Sequence, residues 1–442
     1  VSHEHIEVYE AFHACLKLGL PRVGIKWRFS PNEMLYVIND SSAKVVMVQA
    51  NCVDLMGDLP EKLASEGVIL IGYGGEHNLP YDYEELLANS DTDVALPELN
   101  QDDLAAISYT SGTTGSPKGV LLSHFGLREA MMNTIINVGL TPNDVWYAPT
   151  SSAWITFVLI TMNTVNGMTA VLPEGDFEPN EYFEHINKHK VTVTIMVPIM
   201  MRRLIHLMEE NNIKLPSLRL ITYGSSPSTP QLIRKAAETF GCDMSQLYGI
   251  TEVTGGWTCV MSPDDTRRGL AGEEHLLRSC GRPALHFDVE IRDEKNNVCP
   301  PDTSGEIWLR SDCLMQGYLG LEKQTNETLK DGWLCTNDLG YLDEEGFLYL
   351  TDRKNNLIIT GAANVFPSMV ENVLDEHANV VEVAVVGVPH PEWDEAVVAV
   401  IIVKEADAFD YAEMIAFCKK SMAKFEVPKH IVLVDEIPKG LT

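Results

Sequence analysis

The stretch between Tyr109 and Val120 has the residue types that bind a polyphosphate. It reads Tyr-Thr-Ser-Gly-Thr-Thr-Gly-Ser-Pro-Lys-Gly-Val, with three glycines, five Ser/Thr hydroxyls and one lysine, Lys118. Glycines let the backbone approach a ligand closely, while hydroxyls and free N–H groups donate to phosphate oxygens and lysine supplies a positive charge. A flexible surface turn rich in Gly and Thr would have the same composition, so composition alone leaves both interpretations open.

This stretch does not match a Walker A loop. That motif needs a glycine directly before the lysine and a Ser or Thr directly after it, because the hydroxyl binds Mg²⁺. Here Pro117 precedes Lys118 and Gly119 follows it. The sequence therefore argues against an ordinary P-loop NTPase.

Three further side chains could complete a nucleotide site. Glu252 follows an apolar strand pattern that ends at Tyr248, and a carboxylate beside a phosphate loop is a natural Mg²⁺ ligand. Asp338 could accept hydrogen bonds from both hydroxyls of a ribose, and Arg353 follows it by fifteen residues. Taken singly, each has a structural alternative: a helix-start carboxylate, a turn residue and a surface ion pair.

The elements that must position these residues are predicted from hydrophobic patterns. An apolar strand at 104–108 precedes the phosphate loop, and an amphipathic helix at 125–136 follows it. Strand patterns at 169–172, 191–197 and 218–223 then alternate with helical runs, which indicates α/β layers with mostly parallel strands. Ligands of such sheets bind beyond the carboxyl ends of the strands. The loops 224–227 and 249–252 lie at such ends.

The pattern changes after Gly281. Short strands separated by tight turns predict a β-rich subdomain. From Leu357 onward, strands at 381–388 and 397–403 and a helix at 411–422 predict a compact unit of helices and strands. The segment from Gly361 to Glu371 leads into a helix of this unit.

Composition limits the partners. The chain has 442 residues, enough for two to four domains or subdomains, and a formal net charge of -30 from 33 basic and 63 acidic residues. Such an acidic surface repels nucleic acid and anionic lipid, so a nucleotide site must carry local positive charge or Mg²⁺. Nine dispersed cysteines without a C-x-x-C pair argue against zinc and against a disulfide framework, and they indicate a reducing, cytoplasmic location. The longest apolar run, 396–403, is too short to span a membrane.

Taken together, in this order and spacing, the five motifs resemble those of the adenylate-forming superfamily. That family comprises acyl- and aryl-CoA synthetases, peptide-synthetase adenylation domains and luciferases, and the resemblance covers nearly the whole chain. It implies an α/β fold with a large N-terminal domain, residues 1–354, made of layered α/β subdomains and a β-rich subdomain. A small mobile C-terminal α+β domain, residues 355–442, is expected to turn about a hinge at Asn355.

The resemblance also implies roles for the motif residues. Thr251, Glu252, Lys118 and Arg353 would be catalytic, with Glu252 holding Mg²⁺, and Gly361 would line the CoA channel. The expected contacts of ATP and AMP are Thr110, Ser111, Gly112, Thr113, Thr114, Gly115, Lys118, Gly224, Ser225, Ser226, Pro227, Tyr248, Gly249, Thr251, Asp338, Leu350 and Arg353.

The substrate acid is expected to have an uncharged tail. Amino-acid-activating relatives carry an Asp where Thr150 falls, and no carboxylate occurs within 149–156, which counts against an α-amino acid. The residues expected to line the acyl site are mostly apolar or aromatic, as a fatty, alicyclic or aromatic acid requires. They are Trp154, Ile155, Val197, Tyr223, Gly224, Val253 and Trp257. For the tryptophans, ordinary core packing is the structural alternative.

The chain departs from the family at its two ends and in one loop. The family's N-terminal segment is absent, and its catalytic lysine is expected just beyond Thr442, so we expect the natural protein to be longer. Ser152 stands where the family often has a histidine that gates the acyl site.

The function predicted from these residues is ATP-dependent activation of a carboxylic acid to acyl-AMP, followed by transfer to CoA. ATP, Mg²⁺ and CoA would be required, without nucleic acid or stable membrane insertion, and a homodimer is compatible with the sequence. Two alternatives remain open: an adenylating enzyme that loads the thiol of a carrier protein, and a catalytically silent nucleotide-binding relative.

Overall fold

The computed structural model carries side chains and describes most of the chain. The described residues are 1–110, 117–151, 153, 157–173, 175, 177–226, 228–353, 356, 358–360, 363–391, 393–404 and 409–437. Within these ranges, no helix has the length and apolar character needed to cross a bilayer.

The first part of the chain alternates short helices and strands and ends in the phosphate hairpin. Its elements are α1 (Ile6–Leu18), β1 (Arg22–Val23), α2 (Pro31–Asp40), β2 (Val45–Gln49), α3 (Leu59–Ser65), β3 (Ile69–Tyr73), β4 (Tyr81–Asp82), α4 (Tyr83–Ala88), β5 (Leu104–Thr110), β6 (Lys118–Ser123) and α5 (His124–Val138). Helix α1 ends at Gly19 in the left-handed conformation that glycine adopts at little cost. Helix α2 begins with a capping box formed by Ser30 and Glu33.

The middle region forms the central sheet. Its elements are β7 (Val145–Tyr147), α6 (Phe157–Asn166), β8 (Thr169–Val171), α7 (Pro179–His189), β9 (Val193–Met196), α8 (Pro198–Asn211), β10 (Leu220–Gly224), α9 (Pro230–Phe240), β11 (Asp243–Tyr248), β12 (Cys259–Val260) and α10 (Pro263–Ala271). Strands β8, β7, β9, β10 and β11 lie side by side in this order and are parallel, and β12 extends the sheet antiparallel. Helices α7, α8 and α9 each begin with proline, whose missing N–H is not needed in the first turn.

Both faces of the central sheet are buried. Along β10, Leu220 packs into one hydrophobic core, whereas Ile221 and Tyr223 pack into the core on the opposite face. Helices thus cover the sheet on both sides, as an α/β sheet requires. The carboxyl ends of β10 and β11 remain available for a ligand.

The next region is rich in short strands. Its elements are β13 (Arg282–Pro283), β14 (Asp288–Arg292), β15 (Gly305–Arg310), β16 (Gly317–Tyr318), α11 (Glu322–Thr328), β17 (Leu329–Lys330), β18 (Trp333–Leu342) and β19 (Leu348–Arg353). Strands β14, β15, β17, β18 and β19 form an antiparallel sheet. The two others extend earlier sheets, since β13 pairs with β12 and β16 pairs with β6.

The last region is a compact α+β unit with its own hydrophobic core. Its elements are β20 (Ile358–Thr360), β21 (Ala363–Val365), α12 (Pro367–Asp375), β22 (Val380–His390), β23 (Asp394–Val403), α13 (Tyr411–Ser421) and β24 (His430–Leu433). Among the described residues, ion pairs join this unit to α8 and to the segment before β13. Arg202 on α8 contacts Asp375 at 2.9 Å, and Arg278 contacts Glu376 at 2.8 Å.

The structure differs from the sequence expectation beside the phosphate loop. The sequence predicted a strand before the loop and a helix after it, whereas strand β6 lies between loop and helix and pairs antiparallel with β5. Residues Thr110 and Lys118 are partners in this ladder, so the loop joins the two strands of a hairpin. In the structure, Val120 and Leu122 are buried and Leu121 between them is less buried. All three residues are apolar, so the sequence shows no alternation here that would have predicted a strand.

Candidate nucleotide and metal site

The first part of the site is a buried carboxylate. Asp338 lies in β18, with 7% of its surface exposed, and its backbone N–H donates to the hydroxyl of Thr336 at 3.0 Å. The Tyr248 hydroxyl, at the end of β11, donates to Asp338 Oδ2 at 2.6 Å. Burial, together with the Asp338 charge, raises the pKa of Tyr248 well above its ordinary value, so this phenol remains a donor. The arrangement holds the carboxylate of a strand in one sheet against the end of a strand in another.

The second part of the site is a carboxylate on a turn. Glu252 lies in the short 3₁₀ turn Thr251–Val253 that follows β11, and its backbone carbonyl accepts from Met315 N–H at 2.8 Å. The Tyr318 hydroxyl donates to Glu252 Oε1 at 2.8 Å. Among the described residues, no hydrogen bond reaches the other oxygen, Oε2.

This carboxylate fits Mg²⁺ in its usual protein setting. Magnesium keeps several waters and takes one or two carboxylate oxygens together with substrate phosphates, so it needs no full protein cage. Glu252 offers one such oxygen, and no group of three or more His, Cys, Asp or Glu side chains suited to a metal occurs in the described ranges. The donor set therefore suits a hard cation shared with a nucleotide, rather than zinc.

The third part of the site is the lysine of the phosphate hairpin. Lys118 starts β6, and its ammonium lies 4.7 Å from the centre of the Tyr318 ring. In the part of the chain that the structure describes, no carboxylate pairs with this ammonium within 4.0 Å. Its positive charge is thus available to a phosphate.

Glycines let the nearby strand ends approach each other. A Cβ atom on Gly224 would clash with the backbone carbonyl of Leu247 on the adjacent strand, and one on Gly249 would lie 2.7 Å from the Gly256 carbonyl oxygen. Ser225 follows in the left-handed region with φ 68°. These close approaches form a narrow backbone-lined edge beside Tyr248, where the sequence predicts the adenine.

The residues expected to bind the acyl tail do not form one cluster. Val253 is fully buried and packs with Trp257 in one core, whereas Tyr223 packs in the core on the other face of the sheet. Buried Asn133 holds the Trp257 backbone, accepting from its N–H at 2.9 Å. Val197 caps helix α8. Of the apolar side chains in this set that the structure describes, Val253 and Trp257 share a core, and Tyr223 lies in another.

Several predicted site residues lie outside the described residues, and their roles stay predictions. The side chain of Arg353 is also outside the description, although its backbone pairs with Asp338 in the β18–β19 ladder. Leu350 is described and is exposed in β19 opposite Gly340, and its role stays a prediction. The residues outside the description are Ser111, Gly112, Thr113, Thr114, Gly115, Ser152, Trp154, Ile155, Pro227, Asn355 and Gly361.

Sequence reasoning missed Tyr318. This residue follows Gly317 in the two-residue strand β16, and a single tyrosine in a short strand carries no functional signal. Its hydroxyl meets Glu252 across 66 positions of the chain. The Tyr248–Asp338 bond spans 90 positions, so neither link could be found from local spacing.

Comparison with known proteins identifies the class. The family model described as AMP-binding enzyme matches residues 1–319, and the model of the AMP-binding enzyme C-terminal domain matches residues 369–442. The chain therefore belongs to the AMP-binding enzyme family. The predicted membership of the adenylate-forming superfamily, the α/β fold class and the enzymatic nature of the protein are confirmed.

Individual relatives cover nearly the whole chain. The 2-succinylbenzoate–CoA ligase of Bacillus subtilis is 30% identical over 436 residues, which are 98% of this chain and 83% of the relative. The fatty acid–[acyl-carrier-protein] ligase ScoC of Streptomyces coeruleorubidus is 28% identical over 444 residues, 100% of this chain and 83% of the relative. The structure of the O-succinylbenzoate coenzyme A synthetase of Bacillus subtilis, in complex with ATP and magnesium ion, superposes with a TM-score of 0.84 at 28% identity, covering 99% of this chain and 85% of that one.

Proposed function

We propose that this protein is an AMP-forming acid–CoA ligase. In the first step, a substrate carboxylate oxygen attacks the α-phosphorus of ATP, forming acyl-AMP and releasing pyrophosphate. In the second, the thiolate of CoA attacks the acyl carbon, and AMP leaves. The observations that support this best are the contacts of Tyr318 with both Glu252 and Lys118, together with the hydrogen bond between Tyr248 and Asp338.

Each charged side chain has a task in the first step. Lys118 and the loop before it would hold the β- and γ-phosphates, and Asp338 would accept from the ribose hydroxyls. Thr251 would bond the α-phosphate and the substrate carboxylate, with Arg353 adding a contact to ribose or phosphate. Glu252 would hold Mg²⁺ through Oε2; when bound, the ion neutralises phosphate charge.

The charge of the whole chain makes these few groups important. With a net charge of -30, the protein repels both ATP and the acid substrate at long range. Attack of one anion on another requires local neutralisation and in-line positioning. The ammonium of Lys118, together with a cation on Glu252, would supply that neutralisation at the site.

The second step would require residues 355–442 to change their orientation relative to the rest of the chain. The ladder of β18 and β19 ends at Arg353, directly before the predicted hinge at Asn355. We infer that residues 355–442 turn about this point relative to residues 1–354. The turn would exchange the face used for adenylation for the face bearing Gly361, along which CoA enters.

The acceptor is the main alternative within this proposal. One relative is named a CoA ligase and another a ligase of an acyl-carrier protein. We place CoA first because the CoA ligase shares the greater identity, 30% against 28%. The acid is proposed to have an uncharged fatty, alicyclic or aromatic tail, because Val253 and Trp257 are apolar. A cytoplasmic location and a homodimer remain predictions.

A pyrophosphate-release screen of the full-length protein would test the proposal. Carboxylic acids of increasing chain length and aromatic content are offered with ATP, with and without CoA. We expect acid-dependent pyrophosphate release and an acyl-CoA product detected by mass spectrometry. A thioester formed only with a phosphopantetheinylated carrier protein would favour the carrier-loading alternative, and absence of acyl-AMP with every acid would favour a silent nucleotide-binding relative.

A further inference from the structure

One backbone segment joins the phosphate hairpin to the turn that bears the metal-binding carboxylate. The N–H of Leu319 donates to the Gly119 carbonyl at 2.8 Å, and the N–H of Met315 donates to the Glu252 carbonyl at 2.8 Å. The Thr254 hydroxyl donates to the carbonyl of Cys313 at 2.6 Å. The segment 313–319 is thus hydrogen-bonded to both halves of the phosphate site.

Tyr318 is the side chain of this segment that contacts both charges. Its hydroxyl donates to Glu252 Oε1 at 2.8 Å, and its ring face lies 4.7 Å from the Lys118 ammonium. The negative face of an aromatic ring attracts a cation, whereas the phenolic hydrogen attracts a carboxylate. One ring therefore serves two groups of opposite charge at different parts of its surface.

The position of Tyr318 is itself fixed. Only 7% of its surface is exposed, and its backbone N–H donates to the Thr325 hydroxyl at 2.9 Å. The same hydroxyl donates to the Leu321 carbonyl at 3.0 Å. Gly317 has φ 148°, and a Cβ atom there would lie 2.8 Å from Thr325 Cγ2, so only glycine allows this close approach. The ring thus rests on a rigid support.

Tyr318 contacts two groups of opposite charge, Lys118 and Glu252, that could otherwise pair with each other. A lysine and a glutamate beside one small binding site would attract each other, and an ion pair between them would occupy both groups. Such a pair is not formed by the described side chains of Lys118 and Glu252. Burial, with a contribution from Glu252, raises the pKa of the Tyr318 phenol above its usual value, so the hydroxyl stays protonated and donates.

We propose that Tyr318 is a positioning residue of the nucleotide site, which separates Lys118 from Glu252 and orients each for a magnesium–nucleotide complex. The inference rests on the proposed function, in which Lys118 holds phosphate and Glu252 holds the metal. It adds that these two groups depend on a side chain that is not among the residues expected to bind the acid or CoA.

Two substitutions separate the two contacts of the ring. Tyr318→Phe removes the hydroxyl and keeps the aromatic face, whereas Tyr318→Leu removes both. The readout is calorimetric binding of α,β-methylene-ATP, an analogue that cannot be adenylated, at a series of Mg²⁺ concentrations. Because a hydrogen bond to a charged group is lost, Tyr318→Phe should raise the Mg²⁺ concentration for half-maximal binding about tenfold. Tyr318→Leu should in addition weaken binding at saturating Mg²⁺ by about threefold or more, since the Lys118 ammonium loses its contact with the aromatic ring.

A matched control distinguishes positioning from general stability. Tyr349 is a buried tyrosine whose hydroxyl donates to Asp343 at 3.2 Å, outside the nucleotide site. Tyr349→Phe should leave the Mg²⁺ dependence unchanged even where its thermal unfolding midpoint falls as much as that of Tyr318→Phe. An equal change of Mg²⁺ dependence in both variants would overturn the proposal.

The Glu252→Gln background separates this proposal from the function on which it rests. If Tyr318 acts through Glu252, then Tyr318→Phe should have no further effect on Mg²⁺ dependence in Glu252→Gln, because the carboxylate that the hydroxyl would orient toward the metal is already gone. A full, additive effect in that background would refute the positioning role while leaving the metal role of Glu252 intact. An unchanged Mg²⁺ dependence in Glu252→Gln alone would instead refute the proposed metal site.

Discussion

Each end of the proposed nucleotide site has a tyrosine hydroxyl that donates to a carboxylate, but the two carboxylates have different surroundings. At the ribose end, the Tyr248 hydroxyl donates to Asp338 at 2.6 Å; at the metal end, the Tyr318 hydroxyl donates to Glu252 at 2.8 Å. Asp338 lies in a strand with neighbours on both sides and is 7% exposed, whereas Glu252 lies on a 3₁₀ turn and is half-buried. The two carboxylates therefore differ in how completely the protein encloses them.

The contrast follows from the ligands that the two carboxylates would meet. Ribose hydroxyls are neutral and directional, so a carboxylate held rigidly in a strand can select their geometry. A magnesium ion exchanges waters and phosphate oxygens as the reaction proceeds, so its ligand needs one free oxygen and a firm hold on the other. Four predictions test this comparison, from the largest effect to the smallest.

The metal end should give the largest loss. Glu252→Gln keeps the shape of the side chain and can still accept from Tyr318, but it removes the charge that would bind Mg²⁺. We expect kcat/KM for ATP to fall by a factor that corresponds to about 3 kcal/mol or more of lost transition-state stabilisation. Pyrophosphate release over a range of Mg²⁺ concentrations would measure it. Glu274→Gln, on the exposed side chain that pairs with Arg234, is the control and should behave as wild type. Near-normal activity of Glu252→Gln at limiting Mg²⁺ would remove the metal end from the comparison.

The ribose end should give a smaller and more selective loss. Asp338→Ala should raise the KM for ATP by a factor that corresponds to about 2 kcal/mol of binding free energy, because charge-assisted hydrogen bonds to the sugar hydroxyls disappear. The KM for 2′,3′-dideoxy-ATP, which lacks these hydroxyls, should change much less.

Asp338→Asn provides the control for folding, since it retains an acceptor for Tyr248. Equal increases in KM for both nucleotides would show that Asp338 does not contact the ribose, and the two carboxylates would then no longer be comparable.

The hydroxyl of Tyr248 should matter through Asp338. Tyr248→Phe keeps the ring beside the adenine position but frees the carboxylate to move, so the KM for ATP should rise by about 1 kcal/mol. In the Asp338→Ala background this change should be silent, which steady-state kinetics of the four proteins would measure. Persistence of the whole effect in that background would mean that Tyr248 acts on the nucleotide directly, unlike Tyr318 at the metal end.

The last effect is absent at neutral pH, appears only in alkaline solution and should be alike at both ends. Burial, with the charge of the neighbouring carboxylate, raises the pKa of both Tyr248 and Tyr318. Above about pH 10, the unfolded phenols lose their protons while the folded ones keep theirs, so the free energy of unfolding decreases as pH rises.

Replacing either tyrosine by phenylalanine should make that decrease shallower by up to about 1.4 kcal/mol per pH unit. Urea unfolding of Tyr248→Phe and Tyr318→Phe between neutral pH and pH 11 would measure the change. A decrease that is unaltered in one variant would show that its phenol ionises at its ordinary pH in the folded protein.

Local sequence determined a large part of this molecule. Proline at the first position of α7, α8 and α9 and the short, largely apolar run of β10 are local features of the sequence. Such patterns therefore predicted the alternating strands and helices of the middle region. The order and spacing of the motifs around Lys118, Glu252 and Asp338 indicated the family and its candidate residues. Strand β6 was missed because its first three residues were read as part of the loop and its last three were assigned to no element.

The tertiary structure alone decided how those residues meet. Tyr318 reaches Glu252 and Lys118 only because β16 pairs with β6, and Tyr248 reaches Asp338 only because the end of β11 lies against the middle of β18. Tyr223 and Trp257, both expected at the acyl tail, fall into different cores for a similar reason, since the central sheet separates its two faces. Contacts across such long stretches of chain depend on which strands pair and which way each side chain points. Local propensity and spacing do not encode that information, whereas the packed sheets do.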